Sequence, residues 1–246
     1  CIRDRLKDYF DTGFSHTHNV SVSNGTEKSH FRTSFGYSDN DGVFPTESLS
    51  RVNADLNAGT ELNKWMSMDG KISLSRTKAD NRPLYGDYGA IAQLMRIPNN
   101  VRLDDLKQYS DATHAHVNWT GPTASIRNPY YVLHQRQNSD ERWRAFGYYG
   151  MKINFTDWLH LSAKYAFDYY RTRVQSTNAG DGINGEANTS MITNDSMDRS
   201  EENFFESNAE VILMGDRQLT DNFRLGFNAG ANFMYQRSET LGVGVG

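Results

Sequence analysis

Phe223-Arg224-Leu225-Gly226-Phe227-Asn228-Ala229-Gly230-Ala231-Asn232-Phe233-Met234-Tyr235 decides how the chain is read. Its odd positions are Phe, Leu, Phe, Ala, Ala, Phe and Tyr; its even positions are Arg, Gly, Asn, Gly, Asn and Met. A strand sends successive side chains to opposite faces, so one face here is continuously apolar and the other polar or bare. The stretch is far longer than the ~5–6 residues of a usual soluble strand. It suits a tilted strand crossing a bilayer, which needs roughly 9–11 residues for the hydrocarbon.

The same alternation recurs through the 246 residues. It predicts further strands over about Thr17–Ser23, Ser29–Ser38, Ser48–Leu62, Trp65–Thr77, Glu141–Phe155, Trp158–Arg171 and Asn203–Met214. Their apolar sets include Val20 and Val22, Phe31 and Phe35, Val52 and Leu56, Ile72 and Leu74, Leu161 and Phe167, and Phe205 and Val211. Gly25-Thr26-Glu27-Lys28 reads as a tight turn in which Gly and small polar residues supply positive φ. Further short turns fall at 63–64, 156–157 and 215–222. Longer connections fall at 39–47, 78–140 and 172–202, the middle one with a short helix near Ala90–Met95. Residues 1–15 read as a lead-in, and Gly242–Gly246 as the start of another loop.

Short turns on one side and long loops on the other mark an outer-membrane barrel. Trp65, Phe155, Trp158 and Phe223 sit near the short-turn ends, as an interfacial girdle requires. Charges keep off the apolar faces until Arg76, Arg171 and Arg237 at their ends. The opposite faces carry Arg32, Arg51, Asp55, Asp69, Lys71, Lys152, Lys164, Asp168, Glu206, Glu210 and Arg224. Arg or Lys aimed at lipid at mid-depth costs about 2–4 kcal/mol, and little when aimed into a wet lumen. The fold expected is all-β, a transmembrane antiparallel barrel of about eight visible strands with long extracellular loops.

Composition agrees. Apolar residues make up 37%, low for a globule of this size, where ~45–50% is usual with Gly counted. No apolar run approaches the ~20 residues of a membrane-spanning helix. The net charge of −4 gives no reason to expect nucleic acid. The single cysteine, Cys1, excludes an intrachain disulfide; as first residue it fits either a lipidated terminus or a cut point. Unpaired edges on the two terminal strands, which lipid cannot satisfy, favour a piece of a larger barrel.

Phe10-Asp11-Thr12-Gly13-Phe14-Ser15-His16-Thr17-His18-Asn19-Val20-Ser21-Val22-Ser23-Asn24-Gly25-Thr26-Glu27-Lys28, followed by Phe31-Arg32-Thr33-Ser34-Phe35-Gly36-Tyr37-Ser38-Asp39, resembles the barrel of SusC/RagA-type TonB-linked outer-membrane transporters of Bacteroidetes. Arg51, Asn53, Leu56 and Asn57 and the pair Asn128-Pro129 extend the resemblance over essentially the whole chain. Asn24 departs from the family's usual Gly. The resemblance implies a middle section, residues 1–246, of a 22-stranded barrel domain whose plug and signal peptide lie outside this sequence. It further implies a multi-pass location in the cell outer membrane and import of glycan oligosaccharides or peptides. The implied partners are a SusD-like surface lipoprotein and TonB, the latter through the plug. Alternatives are a small self-contained structural or adhesive barrel and a soluble carbohydrate-binding β-sandwich.

Other chemistry is sparse. His16/His18 and His114/His116 could each offer two metal ligands, but no third is placed to join them; loop or lumen positions explain them. Asp39-Asn40-Asp41-Gly42 and Asp181–Glu186 are oxygen-rich without EF-hand spacing, so no cofactor is expected beyond a structural calcium that an outer loop could hold. Asn118-Trp119-Thr120 fits a glycosylation sequon of little meaning in a bacterial protein. No G-x-S-x-G or H-E-x-x-H occurs, and an enzyme is not expected. Candidate ligand contacts are the long-loop aromatics Tyr85, Tyr88, Trp119, Tyr130 and Tyr131, whose rings can stack on sugars or peptides; packing of the loop on itself is the competing reading.

Overall fold

The computed structural model describes residues 7–82, 86, 89–98, 100–110, 116–117, 126–180 and 195–246. Its frame is one sheet of eight antiparallel strands in sequence order. These are β1 (Phe14–Gly25), β2 (Ser29–Asp41), β3 (Ser48–Asn63), β4 (Met66–Asp80), β5 (Arg136–Asn154), β6 (Leu159–Asn178), β7 (Ser196–Thr220) and β8 (Phe223–Val245). β1 and β8 form its two margins. Among the described residues no second sheet opposes its apolar face, which removes the sandwich alternative.

Most strands run further than alternation predicts, chiefly at their long-loop ends. β7 continues to Thr220, so only Asp221 and Asn222 turn the chain where a turn over 215–222 was expected. Gly242–Val245, expected as loop, belongs to β8. β5 starts at Arg136 rather than near Glu141, and β1 at Phe14 rather than Thr17. In each case hydrogen bonding to the neighbouring strand carries the ladder past the end of the apolar pattern. Beyond the hydrocarbon, water or loops replace lipid, and apolar alternation is no longer required.

The turn after β1 departs in mechanism. Among the described residues positive φ occurs only at Thr46, Asn81 and Gly86, so Gly25 does not supply it. Thr26 closes the turn instead: its Oγ1 accepts from the amides of Ser29 (3.1 Å) and Lys28 (3.3 Å). Thr156 does the same between β5 and β6, accepting from the Leu159 amide at 3.0 Å. A threonine hydroxyl mimicking a backbone carbonyl replaces the left-handed residue.

At the opposite end the long connection is folded. It contains α1 (Ala90–Met95), a 3₁₀ turn at Leu103–Leu106, and α2 (Pro129–Gln135), which runs straight into β5. A small core joins these pieces: Ala90, Leu94, Ile97, Leu103, Leu106, Tyr130, Val132 and Leu133 pack with Tyr9 and Phe44. Residues 7–10 are thus more than a lead-in. Tyr9 is buried, and its hydroxyl donates to the Pro129 carbonyl at 3.0 Å. Asn128 is the knot. Its Oδ1 caps α2 by accepting from the Tyr130 amide (2.9 Å), while its Nδ2 donates to the Leu106 carbonyl (2.7 Å). Pro129 follows at the first helical position, where a missing N–H costs nothing.

Candidate functional site

Register sorts the side chains. Residues paired across strands share a face, and one row reads Val20, Phe35, Ala54, Leu74, Ala145, Tyr169, Phe205 and Arg237 from β1 to β8. The next row towards the short turns reads Val22, Thr33, Leu56, Ile72, Gly147, Phe167, Ser207 and Tyr235. The first of these rows is uncharged until Arg237, and the second throughout. Large apolar side chains stand exposed on this face, Phe35 at 54% and Phe233 at 72%. On β6 the apolar run from Leu159 to Tyr169 covers about ten residue steps. At ~3.4 Å per step and a ~40° tilt it spans roughly 26 Å along the normal, the height of a lipid-facing band. Trp65, Phe155 and Phe223 are exposed at its short-turn edge.

The other face is the candidate site. Every charge assigned to it from the sequence lies there by register, from Arg32 to Arg224. Its centre on β3 to β7 is a tiling of ions and rings. Arg144 on β5 donates Nε to Asp168 Oδ1 at 2.9 Å and Nη2 to Asp168 Oδ2 at 2.5 Å. The Arg144 guanidinium also lies 4.7 Å from the Phe146 ring centre, and Lys164 lies 4.7 Å from that of Tyr148. Arg142 covers Tyr170 at 4.1 Å, and Tyr170 stacks on Phe204 at 4.7 Å and 13°. The Tyr170 hydroxyl donates to Glu202 at 3.2 Å. On β3, Asp55 accepts from Ser73 (2.5 Å) and Ser34 (3.4 Å).

Such a surface offers fixed cations, fixed carboxylates and π faces side by side. It can hold charged and planar groups of a passing solute weakly at many points. Among the described residues no group of three or more His, Cys, Asp or Glu converges on a common point.

Two of the five expected ligand aromatics are described, and both lie inside the folded loop. Tyr130 and Tyr131 are buried in the loop core; the Tyr131 hydroxyl donates to the Gly180 carbonyl at 2.5 Å, tying the two long loops together. Tyr85, Tyr88 and Trp119 lie outside the described residues, as do His114, Asn118, Thr120 and Asp181–Glu186. His116 is buried and accepts from the Asn128 amide at 3.0 Å. His16 and His18 meet edge to face at 5.4 Å in the outward rows of Asp39 and Tyr37 respectively, not in the lumen. Asp39 and Asp41 share that outward face while Asn40 points inward, so these three do not converge on one ion. The inward rings Phe146, Tyr148, Tyr170 and Phe204 are not singled out by the sequence pattern, because charge alone marks the polar face there. Aromatics falling on the parity of the charged residues are the signal that could have found them.

A lipid-width apolar exterior, a polar and aromatic interior face and folded long loops define a section of transmembrane barrel wall. No protein-family model and no curated protein matches the chain. Among solved structures it is similar to the RagAB peptide transporter, with a TM-score of 0.72 and 16% identity over 98% of this chain and 26% of that chain. The RagAB peptide importer gives 0.70 in its open-open state and 0.69 in its closed-closed state, each at 17% identity and with the same coverage. The chain therefore spans about a quarter of the length of those it matches. At this identity the likeness is one of fold, shared with a section of the RagAB transporter.

Proposed function

We propose that the chain forms part of the barrel wall of an energy-coupled outer-membrane importer, its outward rows in lipid and its inward tiling along the substrate path. Peptides or glycan fragments are the cargo class, and peptides fit the wall better. Paired charges such as Arg144–Asp168 and cation-covered rings complement backbone amides, charged termini and mixed side chains; a neutral sugar would use only the rings. The barrel is completed by chain outside these residues. TonB acts through a plug there, and a SusD-like surface lipoprotein closes over the folded loops. No step of this reading needs an enzyme's acid, base or nucleophile.

The observation that supports this most is the likeness of fold to the RagAB transporter over nearly the whole chain. Deleting the gene and following uptake of fluorescent peptides and of matched oligosaccharides tests it. Loss of peptide uptake, restored by the gene but not by one lacking β5–β7, is expected. Unchanged uptake of both, with the protein recovered from the soluble fraction, would contradict it.

A further inference from the structure

The outward face changes character where the apolar band ends. Arg76, Trp143 and Arg171 share one row across β4, β5 and β6, and Lys78, Glu141 and Arg173 share the next row towards the long loops. Arg199 lies one row further, on β7 beside Gln175. Arginines and a lysine thus project from a wall whose preceding rows are Leu74, Ala145 and Tyr169, then Ile72, Gly147 and Phe167.

The carboxylates present do not balance them. Glu141 accepts from Arg76 at 2.7 Å and from the Trp143 indole at 3.1 Å. Glu201 is shared by Arg171 (2.7 Å) and Arg173 (3.5 Å), and Asp80 takes Lys78 at 2.7 Å. On β4 to β7 five cations (Arg76, Lys78, Arg171, Arg173, Arg199) against three carboxylates (Asp80, Glu141, Glu201) leave a net charge of two positive. The same rows carry Asp39 and Asp41 further off on β2, and Glu239 on β8, which Arg237 holds. The side chains stay accessible, with Arg76 and Arg171 both at 44%. Trp143 is 53% exposed, its ring beneath the Arg76 guanidinium at 5.1 Å. A tryptophan held this way marks the depth at which hydrocarbon gives way to headgroups.

We infer that this patch is a binding site for the phosphate groups of a phosphorylated glycolipid in the outer leaflet. Guanidinium forks match phosphate oxygens in geometry as well as charge. Two arginines sharing one carboxylate keep donors free for a further anion. The patch sits at the long-loop end, so the leaflet assignment rests on the proposed function, which puts those loops outside the cell. A glycolipid clamped here would brace the sheet beneath the folded loops, tying β4 to β7 across the outer edge.

The intact protein, folded in detergent, is titrated with diphosphorylated lipid A, with the same lipid dephosphorylated, and with phosphatidylglycerol, reading the thermal midpoint. Only the phosphorylated glycolipid is expected to raise the midpoint strongly. In a double variant, Arg171→Gln with Arg173→Gln, its apparent affinity should fall roughly tenfold or more for each charge-assisted hydrogen bond removed, and a double Lys variant should recover part of it. The wild-type comparison of the three lipids decides by itself if the Gln variant does not fold. Equal shifts from both forms of lipid A, or from phosphatidylglycerol, would overturn the site. A heat-modifiable barrel indifferent to phosphate defeats only this inference, whereas a protein soluble without detergent defeats the outer-membrane reading as well.

Discussion

Arg144 on β5 and Asp168 on β6 are diagonal neighbours: Arg144 is registered with Tyr170, and its guanidinium reaches back one row to grip both Asp168 oxygens. The two side chains are 40% and 26% exposed. In a wet lumen such a pair contributes only about 0–1 kcal/mol to stability. Its arrangement serves the surface more than the fold.

Replacing Arg144 with Met therefore separates the two roles. Thermal or urea melting should show a loss below about 1 kcal/mol. Uptake of acidic peptides should drop while uptake of basic ones holds or rises, because Asp168 is left uncompensated. Equal losses for both peptide classes would remove Arg144 from the substrate path.

One-residue displacement on β6 gives a second contrast. Ala163 lies in the outward row with Met151 and Val211, and Ser162 in the inward row with Lys152 and Ile212. Ala163→Arg should cost about 2–4 kcal/mol in a bilayer, since it faces lipid near mid-depth. Ser162→Arg should change stability little. Folding titrations in urea with lipid vesicles read both.

Gly147 is a packing test. A Cβ there would fall against the Lys71 backbone carbonyl, which no rotamer can move. Gly147→Val should therefore spread β4 from β5 and cost about 1–3 kcal/mol or more, seen as loss of the heat-modifiable band. Tolerance of Val would mean the strands pair less closely than Lys71 and Gly147 do here.

Much of this was legible in the chain. Alternation in Phe223–Tyr235 and its repeats gave strand order and facing, because lipid on one side and water on the other impose period two. It could not show where strands end. The segment Arg136–Asp140 has no apolar parity, yet it pairs with β6 because Asn178 to Val174 continue opposite it. The loop core was hidden for another reason: Tyr9, Phe44 and Leu133 meet only through long-range packing, which leaves no local period. Tyr130 and Tyr131 illustrate the cost, since rings that read as ligand contacts lie in that core.

The same loop core carries a substitution test. Asn128→Ala removes the α2 cap, worth about 1 kcal/mol, and strips the buried Leu106 carbonyl of a donor, worth about 1–3 kcal/mol more. Limited proteolysis should then nick the 81–128 connection faster while the barrel remains heat-modifiable. An unchanged cleavage rate would place the stability of the loops elsewhere.

Acid should loosen this region. His134 in α2 stacks on Tyr109 at 4.8 Å, and burial pushes its pKa below the ordinary 6.5. Between 6.5 and the lower folded value the opened loop binds more protons than the closed one. Its stability is thus full above 6.5 and declines as pH falls through that window. The opening equilibrium of α2, read as hydrogen exchange relative to the intrinsic rate at each pH, should be larger at pH 5 than at pH 7.5, and His134→Gln should flatten the difference. Identical opening equilibria at the two pH values would contradict it.

Which medium covers the two faces of β6 can be measured outright. Spin labels at Ala163→Cys and Ser162→Cys, each in a Cys1→Ser background and reconstituted in vesicles, report collisions with oxygen and with a water-soluble nickel chelate. The label at 163 should favour oxygen and the label at 162 the chelate, with the preference alternating residue by residue from Leu159 to Tyr169. Chelate-accessible labels at both positions, or a preference that does not alternate, would mean that lipid does not cover the outward rows.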